Sequence, residues 1–416
     1  SNDVWISDEH LITDETSCYV KLLALRCLTN WLVAVKSDTQ SDLISLSEPI
    51  FKLLRSIIVN GGEIISKKDP TYPTPKSYQS RLRLEAGLML LKLAECGSYD
   101  AQLNVDVVEE LIFLVQDENK NVRDLFLDSL TKALSSQKVP KKFVPLVMFY
   151  AHEPDSSIQK KAATWIRSMF NRQLRLHDSW NDLLFETSYV RLIYMLSYHS
   201  EFKSIYHEYM SAEENTDGKA QAFYNLSAFA SAYLIFAVEI ISTEDNISLL
   251  FYLTQRVKQY QSVSLDAEPE GLDRQQSDFK NEDERLYFVS DLAQLVVKQI
   301  SEMRKWYTTT WPGKMALPSD LYQKNRSKEL VQDVVKSSFI PEQYLAEVTR
   351  VVKTSCKRFK SLPKNLTMGK RVRQDKDEGQ RKVSILEIDA QEVAKDKRPF
   401  NRRDTIATRV LRRSGE

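Results

Sequence analysis

A register of apolar residues that recurs four times restricts this chain more than any other feature of its sequence. In "DENKNVRDLFLDSLTKAL" (117–134), Val122-Arg123 is followed, at four, eight and twelve residues from the Val, by Phe126, Leu130 and Leu134. "RLRLEAGLMLLKLAE" repeats this as Leu82-Arg83 with Ala86, Leu90 and Ala94, and "DSSIQKKAATWIRSMF" as Ile158 with Ala162, Ile166 and Phe170. Near the start, "VKLLALRCLTNWLVAV" gives Val20-Lys21 with Ala24, Leu28 and Leu32. Steps of four keep such residues on one face of a helix. The last three copies begin 40 and 36 residues apart, a period typical of solenoids built from paired helices.

The fold class expected is therefore all-α. The pattern has the logic of a HEAT-repeat solenoid, a right-handed stack of antiparallel helix pairs, with an irregular helical bundle as the alternative. Ala24, Ala86, Phe126 and Ala162 should be buried at equivalent positions of stacked pairs within 18–172. Carboxylates of the turn "QDENKN" suit the positive end of the helix that follows, and Arg123 can reach acidic turns of a neighbouring repeat. The boundaries expected are a solenoid over 1–261, an acidic linker over 262–284, a capping helix and its following segment over 285–345, and a partly disordered basic tail over 346–416. The linker has eight acidic residues against two basic ones, too little apolar surface to order it. In the cap, Leu286, Val289, Ala293, Val296, Ile300 and Met303 make one stripe.

Composition removes several classes of function. With 42% hydrophobic residues the chain can bury a sizeable core, and only 10 of its 416 residues are Gly, which argues against Gly-rich phosphate loops. No G-x-x-x-x-G-K-[ST], G-x-S-x-G or G-x-G-x-x-G occurs, and the five histidines lack zinc-site spacing. No catalytic residue, cofactor or metal is assigned. A helical scaffold around an unrecognised transferase site is the enzymatic alternative. Cys18, Cys27, Cys96 and Cys356 form no C-x-x-C pair, and buried thiols in a reducing compartment are expected. No signal peptide opens the chain, and the missing initiator Met suggests a trimmed piece of something longer. The apolar run 222–241 is long enough for a membrane, but Asn225, Glu239 and the lack of basic flanks favour a buried helix, so no membrane is expected.

Charge is segregated. From Val351 to Glu416 there are 19 Lys and Arg against 9 Asp and Glu, while residues 1–350 hold 39 against 48. Tail positions Lys370, Arg371, Arg373, Arg402, Arg403, Arg412 and Arg413 are candidates for nucleic-acid phosphates, although import signals or solvated charge have the same composition. In the body, Lys76, Tyr78, Arg81 and Arg83 cluster where a helix begins after "DPTYPTPK". With Arg123 they are candidate contacts for an acidic or extended peptide, or for an anion. Structurally, Arg83 could equally be the repeat's own arginine.

Several segments together resemble the sister-chromatid-cohesion regulators of the precocious-dissociation-of-sisters family, protein five of that group. "VWISDEH", "LTNWLVAVK", "SRLRLEAGLMLLKLAE", "DENKNVRDLFLDSLTKAL", "YVRLIYMLSYHSEF", "YLIFAVEIISTEDN" and "NEDERLYFVSDLA" occur in that family's order across roughly the first 290–320 residues. The tail differs from metazoan versions with AT-hook-like motifs and looks fungal in its brevity. The resemblance implies a non-enzymatic regulator of the cohesin ring, nuclear and chromosome-associated. It implies a hook-shaped HEAT solenoid that binds the kleisin subunit and cooperates with the Wapl-type release factor and the cohesin acetyltransferase. This stretch would be the C-terminal half of the hook, and the family's inositol-hexakisphosphate site is assigned to no residue here. An importin- or condensin-like HEAT adaptor for peptides or DNA is the alternative.

Overall fold

The computed structural model describes residues 5–13, 18–35, 40–64, 74–176, 182–213, 216–263, 276–324 and 328–361. Almost all of the described chain in regular structure is helical, as an all-α fold requires. After a short α1 (Asp8–Thr13), α2 (Cys18–Ala34), α4 (Lys76–Ala94), α7 (Lys120–Ser135) and α9 (Ser156–Arg175) lie as successive neighbours in one layer. These are the four helices that carry the register. A second layer holds α3 (Gln40–Val59), α5 (Val105–Glu110) with α6 (Ile112–Val115), α8 (Val144–Met148) and α10 (Leu184–Tyr198). Across the layers α3 packs on α4, α6 on α7, and α8 on α9.

The register holds in three copies. Leu82, Ala86, Leu90 and Ala94 are buried, as are Val122, Phe126, Leu130 and Leu134, and Ile158, Ala162, Ile166 and Phe170. Close approach is visible at Gly87 of α4, where a Cβ would sit 2.0 Å from Leu114 Cδ1. The first copy departs from expectation. Ala24 is exposed and Val20 is 64% exposed, while Cys18, Leu22, Leu25, Thr29 and Leu32 form the buried stripe. The reason lies in position: α2 ends the described layer with α4 on one side, so one of its two apolar faces meets solvent. Cys27 is exposed and Cys96 half-buried, against the expectation of four buried thiols.

Helix starts follow capping chemistry. Asn119 Oδ1 accepts from the Asn121 backbone N–H at 2.9 Å to open α7, and Asp155 Oδ1 accepts from Ser157 and Ile158 to open α9. In the 117–119 turn the cap is thus an asparagine, and Asp117 is spent elsewhere.

Beyond α10 the layers give way to a cluster around α12 (Asp217–Ile241), which contacts α9, α10, α11 (Ser200–Ser211), α14 (Gln276–Arg304) and α16 (Glu342–Ser361). Among the described residues α12 is the one helix long and apolar enough to cross a membrane, and most of it is buried in these contacts. Helix α13 (Ile247–Val257) leads to β1 (Tyr260–Ser262), which pairs antiparallel with β2 (Tyr322–Lys324), Gln261 opposite Gln323. A short α15 (Lys328–Lys336) precedes α16.

Helices cross two of the expected boundaries. Residues 276–284, placed in the linker, begin α14, and Asp283 Oδ1 accepts from Ser262 N at 3.0 Å; the rest of that linker, 264–275, lies outside the described residues. Carboxylates suit the first turns of a long helix. The cap's stripe is buried through Ile300 with Met303 half-buried, yet α14 is flanked by α10, α12, α13 and α16, so it is interior and not terminal. Residues 346–361, placed in the tail, belong to α16, where Val348, Val352 and Cys356 are buried at four-residue steps. Most of its Lys and Arg lie off this stripe, which hid the period behind a basic composition.

Candidate partner-binding site

Just after α3 the backbone turns at Gly61 (φ 71°) and Gly62 (φ 91°), and Glu63 accepts from Thr74 N and Oγ1 ahead of α4. That fixes where the expected cluster sits. Lys76 is exposed. Tyr78 is buried among the core side chains. The Arg81 guanidinium lies 4.2 Å from the Trp5 ring centre and pairs with Asp8, so the chain's own N-terminal segment covers it. Arg83 donates to both Asp117 carboxylate oxygens, at 2.6 and 2.9 Å, and to Gly61 O at 2.8 Å.

Arg123 repeats that arrangement one helix on. It donates to Glu153 at 2.7 and 3.0 Å and to the carbonyls of Asp117 and Glu118. Two register arginines thus tie into the acidic turn of the following repeat, and Arg55 makes a similar fork to Glu110. Tyr78, Arg83 and Arg123 are engaged in holding the fold, and the five residues do not line one open groove. Tail candidates Lys370, Arg371, Arg373, Arg402, Arg403, Arg412 and Arg413 lie outside the described residues.

Two recesses form elsewhere, from residues far apart in sequence. One, of about 360 Å³, lies between α5–α6 and the α10–α11 junction, bordered by Asp106, Glu109, Phe113, Met195, Tyr198 and His199. A second, of about 470 Å³, is bordered by Phe149, His152, Glu153, Glu201, Phe229 and Tyr233. Gln116 lines both. Its Nε2 donates to Tyr233 Oη at 2.8 Å, and its Oε1 lies 3.0 Å from His199 Nε2. Because His199 Nδ1 accepts the Glu201 backbone N–H at 3.2 Å, the proton belongs on Nε2, which donates to Gln116. Rings pack around them, with Phe149 and Phe229 each 5.2 Å from Tyr233 and His152 4.5 Å from it.

Burial pushes His199 down to about 4, with His152 adding to the effect, and burial lowers His152 as well. Both imidazoles are neutral at physiological pH. Burial raises Glu109 to about 7 against the pull of Lys203, and among the described residues its Oε1 has no hydrogen-bond partner. Among the described residues no group of three or more His, Cys, Asp or Glu could hold a metal. Segment 187–210 is rich in aromatic residues, Tyr189, Tyr194, Tyr198, Phe202, Tyr206 and Tyr209. Its partners at Asp106–Gln116 carry no local signal, and the apolar run that holds Phe229 and Tyr233 points only to burial.

The family model described as sister chromatid cohesion protein PDS5 matches residues 1–323. Sister chromatid cohesion protein PDS5 of Saccharomyces cerevisiae is 30% identical over 364 residues, covering 85% of this chain and 27% of the relative. The Schizosaccharomyces pombe protein is 28% identical over 359 residues, covering 86% and 26%. Human PDS5 homolog B is 22% identical over 346 residues, covering 81% and 22%. The chain spans about a quarter of the length of the curated relatives it matches. With the family model covering well over half of the chain, this protein belongs to the PDS5 family of sister chromatid cohesion proteins.

Proposed function

We propose that this chain is a HEAT-type stack that acts by binding and not by catalysis, as a platform in the regulation of the cohesin complex on nuclear chromosomes. The observation that carries it is the repeated tie between a register arginine and the next acidic turn, Arg83 to Asp117 and Arg123 to Glu153. Such ties fix each repeat to its neighbour and yield a stiff extended surface suited to long partners. The partner placed on it is the kleisin subunit, with the Wapl-type release factor and the cohesin acetyltransferase acting through the same assembly and chromatin DNA meeting the basic tail. Family membership supports these partners through the relatives' role in sister chromatid cohesion.

On this chain the kleisin contact is assigned to the start of α4. Lys76 is its exposed cation and Arg81 its second, while Tyr78, Arg83 and Arg123 support the ridge from within. Asp8 then competes for Arg81 with an acidic peptide. A labelled kleisin peptide titrated against the full chain tests the assignment. Lys76→Glu should weaken binding about three- to tenfold and Asp8→Ala should tighten it. If the peptide binds the wild type and neither variant moves the affinity, the α4 site is wrong. Should it not bind the wild type at all, the kleisin platform itself is lost.

A further inference from the structure

The two recesses share a chemistry that the α4 ridge lacks. Each sets aromatic faces beside a carboxylate that no arginine among the described residues has taken. In the smaller one Glu110 is forked by Arg55, but the neighbouring Glu109 keeps a buried oxygen without a partner, near Tyr198 and the exposed ring of Phe113. In the larger one Glu153 belongs to Arg123 and Asp117 to Arg83, whereas Glu201 is exposed on the first turn of α11 beside Phe229 and Tyr233. A buried carboxyl oxygen without a donor is costly. Ring faces beside carboxylates favour a cationic occupant with N–H groups to give. Lys203, 5.0 Å from the Tyr198 ring, shows one such cation already at the rim.

The chain itself supplies a segment of that chemistry. "KDKRPFNRR" (395–403) sets Phe400 between Arg398 and the pair Arg402-Arg403, with Lys395 and Lys397 leading in. We propose that this stretch docks in cis in the double recess, its cations on Glu109 and Glu201 and Phe400 against the Phe229–Tyr233 rings. Reach does not prevent it. Helix α16 ends at Ser361 and packs on α12, and Tyr344 of α16 stacks on Phe223 at 4.6 Å, a few turns from Phe229 and Tyr233 on the same helix. The residues from 361 to 397 can span about 120 Å when extended, and the whole of α12 is only about 38 Å long. Docked, the stretch withdraws its arginines from nucleic-acid phosphates, so the recess regulates the tail. This stands apart from the kleisin assignment, which concerns α4.

Zero-length carbodiimide coupling in the full chain, read by mass spectrometry, tests the docking. Lys395 or Lys397 should couple to Asp106, Glu109 or Glu201, with a yield that does not change on dilution. Reversing Arg398, Arg402 and Arg403 to Glu leaves both lysines and all three carboxylates chemically competent. It should nevertheless cut that coupling at least about fivefold, the equivalent of losing a few modest ion pairs. Coupling spread evenly over the acidic body, or unmoved by the reversal, overturns the proposal. A yield that falls with dilution puts a second copy's tail in the recess and overturns the cis assignment.

Discussion

Arg123→Met offers the most direct measure of what the repeated arginine does. The wild-type guanidinium is nearly covered and makes two bonds to Glu153 and two to backbone carbonyls. Methionine fills much of the same volume and supplies none of them. Glu153, whose side chain is 1% exposed, then keeps among the described residues the Asp155 N–H at 2.9 Å, and the carbonyls of Asp117 and Glu118 lose a donor. Breaking a buried pair from one side costs about 3–5 kcal/mol, most of it the orphaned charge. The pair's net worth against neutral neighbours is far smaller, so Arg123→Met/Glu153→Gln should recover more than half of the loss. Urea denaturation of the two variants, with hydrogen exchange at α7 and α9 amides to localise the effect, measures both quantities. A loss below about 1 kcal/mol in the single variant, or a double variant worse than the single, would refute the view that a buried ionic tie joins these repeats.

Two further tests probe the backbone and the recess. Gly62→Ala puts a Cβ 2.2 Å from Gln79 O at φ 91°, whereas Gly61 has open space at φ 71°. The unfolding free energy from urea denaturation should therefore fall clearly for Gly62→Ala and by only about 1 kcal/mol for Gly61→Ala, and equal losses would show that the loop yields. His199 is held at about 4 against an ordinary 6.5, so the unfolded chain takes its proton first as pH falls. The stability His199 contributes is whole above pH 6.5 and is lost as pH falls towards 4, by about 3 kcal/mol in total. His199→Gln should flatten that slope, leaving the smaller share of His152, and an unchanged slope would place the titration elsewhere.

How much of this was legible follows from what each residue depends on. Leu82, Val122 and Ile158 could be read because each copy is covered by neighbours of its own kind, so one period predicts burial. Val20 could not, since α2 has apolar residues on two faces and only the position of α4 decides which is covered. Cys356 and Val352 escaped for the opposite reason: their stripe is regular, but a basic composition outweighed it. Arg83 and Arg123 were readable as cations able to reach an acidic turn. Whether a cation is free for a partner depends on Asp117 and Glu153, 34 and 30 residues away. The recess is less legible still, because Gln116 meets His199 across 83 residues and Tyr233 across 117. Neither periodicity nor a motif encodes such a meeting. It arises where α5 and α6 of the second layer meet the α10–α11 junction and α12, and there no arginine among the described residues ties Glu109 or Glu201. The stack satisfies several of its carboxylates with its own arginines, as Arg83 does Asp117, Arg123 Glu153 and Arg55 Glu110. The carboxylates those arginines do not reach, Glu109 and Glu201 among them, are therefore the ones with chemistry to offer a ligand.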